Sequence, residues 1–212
     1  MHHTQIPILA IALALTTACG GSTKVKSYAE SAEGLEALVN DLAAAVEDGK
    51  DKQASAISAS LELPDAAAFF SKTFGDEIGA RLTAEYEPQR GNFAKLPKLM
   101  EIQRSGRGRT VISVERYTDA ADGAVTGVQK LALEAMVAPT ALYSLRMTEP
   151  GKTSGFHLYS FAYVDGGFRM LGKMKKVSAK PAGSRELQAL GELRVRDAQA
   201  FLKTGKLPGD PK

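Results

Sequence analysis

The sequence predicts an α+β fold: amino-terminal helices packed on a curved antiparallel sheet of about five strands, followed by a carboxy-terminal helix. Three observations carry this expectation. Apolar residues recur at helical spacing from Leu35 to Met100. Near residue 106 the period shortens, and Val, Ile, Phe and Tyr become concentrated. Turn signals then come close together, at Asp122-Gly123, Glu149-Pro150-Gly151 and Asp165-Gly166-Gly167. Helices first and strands after is the order of an α+β domain.

The first helix is expected to open at Ser27-Tyr28-Ala29-Glu30, which has the S-x-x-E capping-box spacing. Leu35, Leu38, Val39, Leu42 and Val46 form its apolar face over five or six turns, and Gly49 stops it. Glu33, Glu36, Asn40, Asp41 and Glu47 make the solvated face. Asp51 caps a second helix, Lys52 to Ser60, with Ala54, Ile57 and Leu61 inward. Pro64-Asp65 opens a third, which carries Phe69, Phe70 and Phe74 and ends at Gly75. A fourth starts at Asp76, aligns Ile78, Leu82 and Tyr86, and breaks at Pro88. Phe93, Leu96, Leu99 and Met100 continue a helical pattern to about Arg104, interrupted by Pro97.

The predicted strands are Arg109 to Tyr117, Val125 to Met136, Ala141 to Met147, Phe156 to Val164 and Phe168 to Met174. Phe156 to Val164 is apolar or aromatic on both faces, as a central strand would be. Short turns between the strands imply an antiparallel meander. A last amphipathic segment, Ser184 to Leu202, has an incomplete stripe of Leu187, Leu190, Leu193 and Phe201. The tail KLPGDPK is expected to be loose.

Composition excludes several functions. The 212 residues include 3 histidines, 1 cysteine and no tryptophan. His2 and His3 lie at the amino terminus, so His157 is the single imidazole beyond it, and no cysteine follows Cys19. A disulfide framework, a cysteine-rich zinc site, a CxxC redox pair or a two-histidine metal clamp cannot be assembled from these. No cofactor or metal is expected. The formal charge of +3 conceals an uneven distribution. Lys24 to Glu101 carries 9 basic and 14 acidic residues, and Ile102 to Lys212 carries 18 basic and 10 acidic.

Residues 1–23 lack Asp, Glu, Lys and Arg, and Ile6 to Leu15 is almost unbroken apolar sequence. That run is shorter than the ~20 residues of a membrane-spanning helix. An apolar run followed by small residues reads as a secretory signal. Thr16-Thr17-Ala18-Cys19 at its end resembles the lipobox of bacterial lipoprotein precursors. Ala18 matches the small residue before the lipidated cysteine; Thr16 stands where the family usually has leucine. The resemblance implies cleavage before Cys19 and acylation of its thiol, and two or more acyl chains anchor stably. Residues 1–18 are then a signal peptide and residues 19–27 a lipidated cysteine with its tether. Residues 28–177 form the α+β domain, and residues 178–212 a linker, a helix and a loose tail.

The element order from Tyr28 to Lys176, and the hairpin YVDGGFRMLGK above all, resemble the nuclear transport factor 2-like superfamily. That resemblance implies helices closing the mouth of a bent, cone-like sheet. Its enzymes use a His–Asp pair, or an Asp with a Tyr, but no such pair can be assigned from strand order, so no catalytic residue is carried over.

A candidate pocket is formed by Tyr143, His157, Tyr159 and Tyr163, with Phe161 on the same odd-numbered face as the last three. The competing reading is an aromatic core face whose hydroxyls reach solvent. A second candidate is a basic surface of Arg104, Arg107, Arg109, Lys173, Lys175 and Lys176. Across a membrane its partner would be anionic phospholipid or an acidic envelope polymer rather than nucleic acid; the alternative is lysines protecting a sheet edge. Gly151-Lys152-Thr153 resembles the end of a phosphate loop, but Arg146 occupies the position of the first glycine.

These readings converge on a lipid-anchored protein of the bacterial cell envelope, facing the periplasm or exterior. Its domain is expected to be a non-enzymatic binding or scaffold unit for an envelope protein or a small apolar ligand. The alternative is a cone-fold enzyme, of isomerase, cyclase or hydrolase type, acting on a small hydrophobic substrate.

Overall fold

The structure, a computed structural model, describes residues 25–125 and 127–178. Cys19, the apolar leader and the carboxy-terminal segment from Ser184 to Leu202 lie outside the described residues. Within them the fold is α+β, with six α-helices and one four-stranded antiparallel sheet. In chain order the elements are α1 Ala32–Glu47, α2 Asp51–Ser60, α3 Ala66–Phe74, α4 Asp76–Tyr86 and α5 Leu96–Glu101, then β1 Val111–Tyr117, α6 Gly127–Ala135, β2 Leu142–Thr148, β3 Gly155–Val164 and β4 Gly167–Met170.

The helical half follows the sequence pattern closely, except at its start. The N-cap of α1 is Ser31, whose hydroxyl accepts from the Gly34 N–H at 3.1 Å, so Ser27 to Glu30 do not form the cap. Those residues are a strap held from three sides. The Tyr28 hydroxyl donates to Asp41 at 2.7 Å, Lys26 pairs with the same carboxylate, and Tyr163 donates to the Tyr28 carbonyl at 3.0 Å. Burial, then Asp41, push the Tyr28 phenol above its ordinary pKa. The strap crosses α1 so closely that a Cβ on Gly34 would collide with the Ala29 carbonyl.

Asp51 is the first residue of α2 rather than its cap, and Asp65 caps α3 by accepting from the Ala68 N–H at 2.9 Å. Past Tyr86 the chain tightens into a 3₁₀ stretch, Glu87–Lys95, because Pro88 brings no N–H. Phe70, Tyr86 and Phe93 pack in series, the first pair edge-on and the second tilted, with centroids 5.8 and 6.1 Å apart. Two buried hydrogen bonds lock this layer: Ser58 Oγ to the Phe93 carbonyl at 2.6 Å, and the Leu63 N–H to the Tyr86 hydroxyl at 2.7 Å. Beyond α5 a π-turn, Ile102–Gly106, leads into β1.

The sheet has four strands instead of five, in the order β1-β2-β3-β4. The segment read as a strand, Val125 to Met136, is helix α6. Gln129 and Ala132 are its buried positions, three residues apart as on one face of a helix rather than alternating. Its composition, GVQKLALEA, is rich in strong helix formers. The Asp122-Gly123 turn therefore leads into a helix, and the link from β1 to its antiparallel neighbour β2 carries that helix instead of being a tight hairpin.

Asp165 and Gly166, both at positive φ, make the two-residue turn between β3 and β4. β4 stops at Met170, short of the expected Met174. Its edge is covered: the Met170 N–H donates to the Leu61 carbonyl at 2.8 Å, and Arg169 donates to the Ser60 carbonyl. The chain then turns at Gly172, whose φ of 78° would strain any other residue and where a Cβ would lie 2.6 Å from Gln89 Oε1. A 3₁₀ turn, Lys175–Ser178, follows.

Candidate functional site

The decisive local feature is a bulge in β3. Ser144 pairs with Tyr159, but the next residue back, Tyr143, pairs with Phe161, so Ser160 has no partner on β2. Its carbonyl instead accepts from the Leu171 N–H at 2.7 Å. Cross-strand partners share a face, so the extra residue switches the alternation. Upstream of Ser160, His157 and Tyr159 share a face with Arg146 and Ser144. Downstream, Phe161 and Tyr163 share the opposite face with Tyr143, Phe168 and Met170.

The structure therefore divides the four candidate pocket residues two and two. Tyr143 is fully buried, packs edge-on against Phe168 with centroids 5.2 Å apart, and accepts from Arg116 Nε at 3.1 Å. Tyr163 packs against the other side of Phe168 at 5.1 Å and spends its hydroxyl on the strap. Both belong to the core. His157 and Tyr159 stack nearly parallel, centroids 5.4 Å apart, beside two hollows. The Tyr159 ring is 37% exposed, high for an aromatic on a sheet.

One hollow, of ≈ 250 Å³, is lined by Gly127, Val128 and Gln129 of α6 with Tyr159, Lys173 and Lys175. The other, of ≈ 340 Å³, is lined in part by Glu85, Gln89, His157, Tyr159, Lys173 and Lys175. Tyr159, Lys173 and Lys175 line both, so the hollows are neighbours that meet at these three residues, and together they are called the groove below.

The lysine side is built by Glu85 at the end of α4. Its two carboxylate oxygens accept the backbone N–H groups of Lys175 and Lys176 at 3.0 and 2.7 Å, fixing the start of the 3₁₀ turn. Both oxygens are thus occupied with backbone. Among the described residues, the Lys173 and Lys175 side-chain nitrogens have no hydrogen bond or ion pair. The rest of the expected basic surface lies elsewhere. Arg104 pairs with Glu47 at 2.6 Å and also donates to the Thr110 carbonyl, Arg109 donates to Gln103 at 2.6 Å, and Arg107 is exposed. Among the described residues no arginine lines the groove, and Lys176 is exposed outside its lining.

Burial, and then the Arg146 guanidinium opposite, hold the His157 imidazole below its ordinary pKa; Glu115 opposes this. Glu115 is itself engaged at both oxygens, by the Tyr117 hydroxyl and by Arg146 at 3.6 Å. No described carboxylate is hydrogen-bonded to His157. No group of three or more His, Cys, Asp and Glu side chains converges among the described residues.

Sequence reasoning named His157, Tyr159, Lys173 and Lys175, but placed them on two different surfaces. It missed Gln129, Glu85 and Gln89. Gln129 sat in a presumed strand; the LALEA stretch beside it was the signal that could have placed it on a helix. Comparison with family models, curated proteins and solved structures finds no match.

Proposed function

We propose that the chain is a lipid-anchored protein of the bacterial cell envelope whose α+β domain is a binding unit, with the Tyr159 groove as its site. The anchor rests on the apolar run Ile6 to Leu15 and the lone Cys19 directly after it. Among the described residues no helix is long and apolar enough to cross a membrane. The cone-like closure implied by the superfamily resemblance belongs to the same proposal.

The observation that carries binding over catalysis is the state of His157. A general base of the triad or dyad type needs an acid to orient and charge-balance it. The neighbouring carboxylate, Glu115, is held by Tyr117 and Arg146, and the guanidinium of Arg146 disfavours the imidazolium. A neutral imidazole stacked on a tyrosine is instead a flat, weakly polar wall, suited to holding a ligand.

Metabolic labelling with a radiolabelled fatty acid tests the anchor. Wild type should incorporate label and Cys19→Ala should not; equal incorporation overturns the lipoprotein reading.

A further inference from the structure

We propose that the groove between α6 and the Lys173–Lys175 segment binds an organic anion, with a phosphate or carboxylate head and a small flat apolar body. The proposal names the ligand class of the binding unit above and rests on that reading.

The groove has donors in excess. Lys173 and Lys175 bring two ammonium groups with no partner among the described residues. The first turn of α6, nine residues long, brings the positive end of a helix dipole through Gly127, Val128 and Gln129. The third observation is independent of both. Gln129 is only 7% exposed, and its Nε2 is buried with no hydrogen-bond partner. A buried amide donor left unpaired is costly, and Gln129 belongs to the wall of the smaller hollow, so a small shift of its side chain toward an acceptor bound there would relieve that cost. The carboxylate in the lining, Glu85, keeps its charge but forms no ion pair with either lysine, and both its oxygens accept backbone N–H groups, so the two ammonium groups still outnumber it. Lys173, Lys175 and the first turn of α6 all donate, and an acceptor-rich, negatively charged head satisfies them.

Apart from Gln89 and His157, the remaining walls are apolar. Tyr159 presents its ring, stacked on His157, with Val128 on one side and Leu158 and Met170 on the other. At ≈ 250 and ≈ 340 Å³ the two hollows admit a small molecule and not a folded partner. Stacking on Tyr159 favours a flat body, and the lysines at the boundary of the hollows place the head beside it.

Titration calorimetry of the full chain in phosphatidylcholine nanodiscs tests this, with phenyl phosphate as probe and with inorganic phosphate and benzyl alcohol, an uncharged ring analogue, standing in for its charged and apolar halves. Phenyl phosphate should bind saturably and each half at least tenfold more weakly. Lys173→Gln/Lys175→Gln should weaken phenyl phosphate about tenfold or more, and Gln129→Leu about threefold or more. Lys52→Gln/Lys72→Gln, with the same charge change on exposed lysines elsewhere, should leave it unchanged. Absence of saturable binding, equal loss in the two lysine pairs, or equal affinity for benzyl alcohol overturns the proposal. Repeating the titration in phosphatidylglycerol nanodiscs identifies the source of the head. Competition points to a lipid headgroup, and an unchanged isotherm points to a soluble organic anion. Failure of the chain to co-elute with nanodiscs would sink the anchor alone; the titration in buffer would still decide the groove.

Discussion

Upstream of Ser160, strand β3 turns His157 and Tyr159 toward an open groove; downstream, Phe161 and Tyr163 are built into the core. The residue types on the two sides are nearly the same, and the alternation in sequence is unbroken. What differs is one unpaired residue in the ladder. The same chemical group therefore has two duties: the Tyr163 hydroxyl secures the strap, while the Tyr159 ring has solvent on one side. An aromatic strand can serve core and site together when a bulge changes which face it shows.

Removing the bulge should break this contrast most severely. Deleting Ser160 restores continuous pairing and forces either Phe161 outward or His157 and Tyr159 inward. The expected loss exceeds that of any single truncation here, and circular dichroism should show no cooperative thermal transition. A variant that melts like wild type would show that the bulge does not set the two faces.

Truncation on either side sharpens the comparison. Phe168→Ala removes the ring wedged between Tyr143 and Tyr163 and should cost about 3–5 kcal/mol in urea unfolding, as for buried aromatics generally. Tyr159→Ala, in the groove, should cost about 1 kcal/mol or less while reducing phenyl phosphate binding. Similar losses of stability would place Tyr159 in the core.

The smallest effect concerns pH. The folded state holds His157 below its ordinary 6.5, so on acidification the unfolded chain takes up the proton first. The stability that neutral His157 contributes is present above about 6.5 and is lost as pH falls through the folded-state value. Arg146 and Glu115 act on it from β2 and β1, and Glu85, Lys173 and Lys175 line the same groove. By NMR the imidazole should titrate below 6.5, and Arg146→Gln should raise its midpoint. A midpoint above 6.5 would mean that Glu115 outweighs burial and Arg146 together.

The helices were legible in the sequence because Leu35, Leu38, Val39 and Leu42 bury one face, as their spacing says. The β3–β4 hairpin was legible because Asp-Gly fits a turn with positive φ at both central residues. Three features were not. Ser27 to Glu30 satisfied a local capping rule, but long-range bonds from Asp41 and Tyr163 draw them into a strap. Asp122-Gly123 announces a turn without saying which element follows it. The Ser160 bulge has no composition signature, because it exists only in the pairing with β2. The candidate site depended on the last two, and so was only half visible: its residues could be named, but not grouped.

The strap also fixes how far the domain can travel. Tyr28 is bonded to Asp41 and, through its carbonyl, to Tyr163, so the chain leaves the body at a defined point. Val25 already packs against the core, so six residue steps separate Cys19 from the body, which at full extension reach about 20 Å. A domain of this size is itself on the order of 40 Å across. With an acylated Cys19 the leash is shorter than the animal. The domain could pivot over one patch of headgroups but not explore the space above it. Whatever enters the groove would have to come to the bilayer, or out of it.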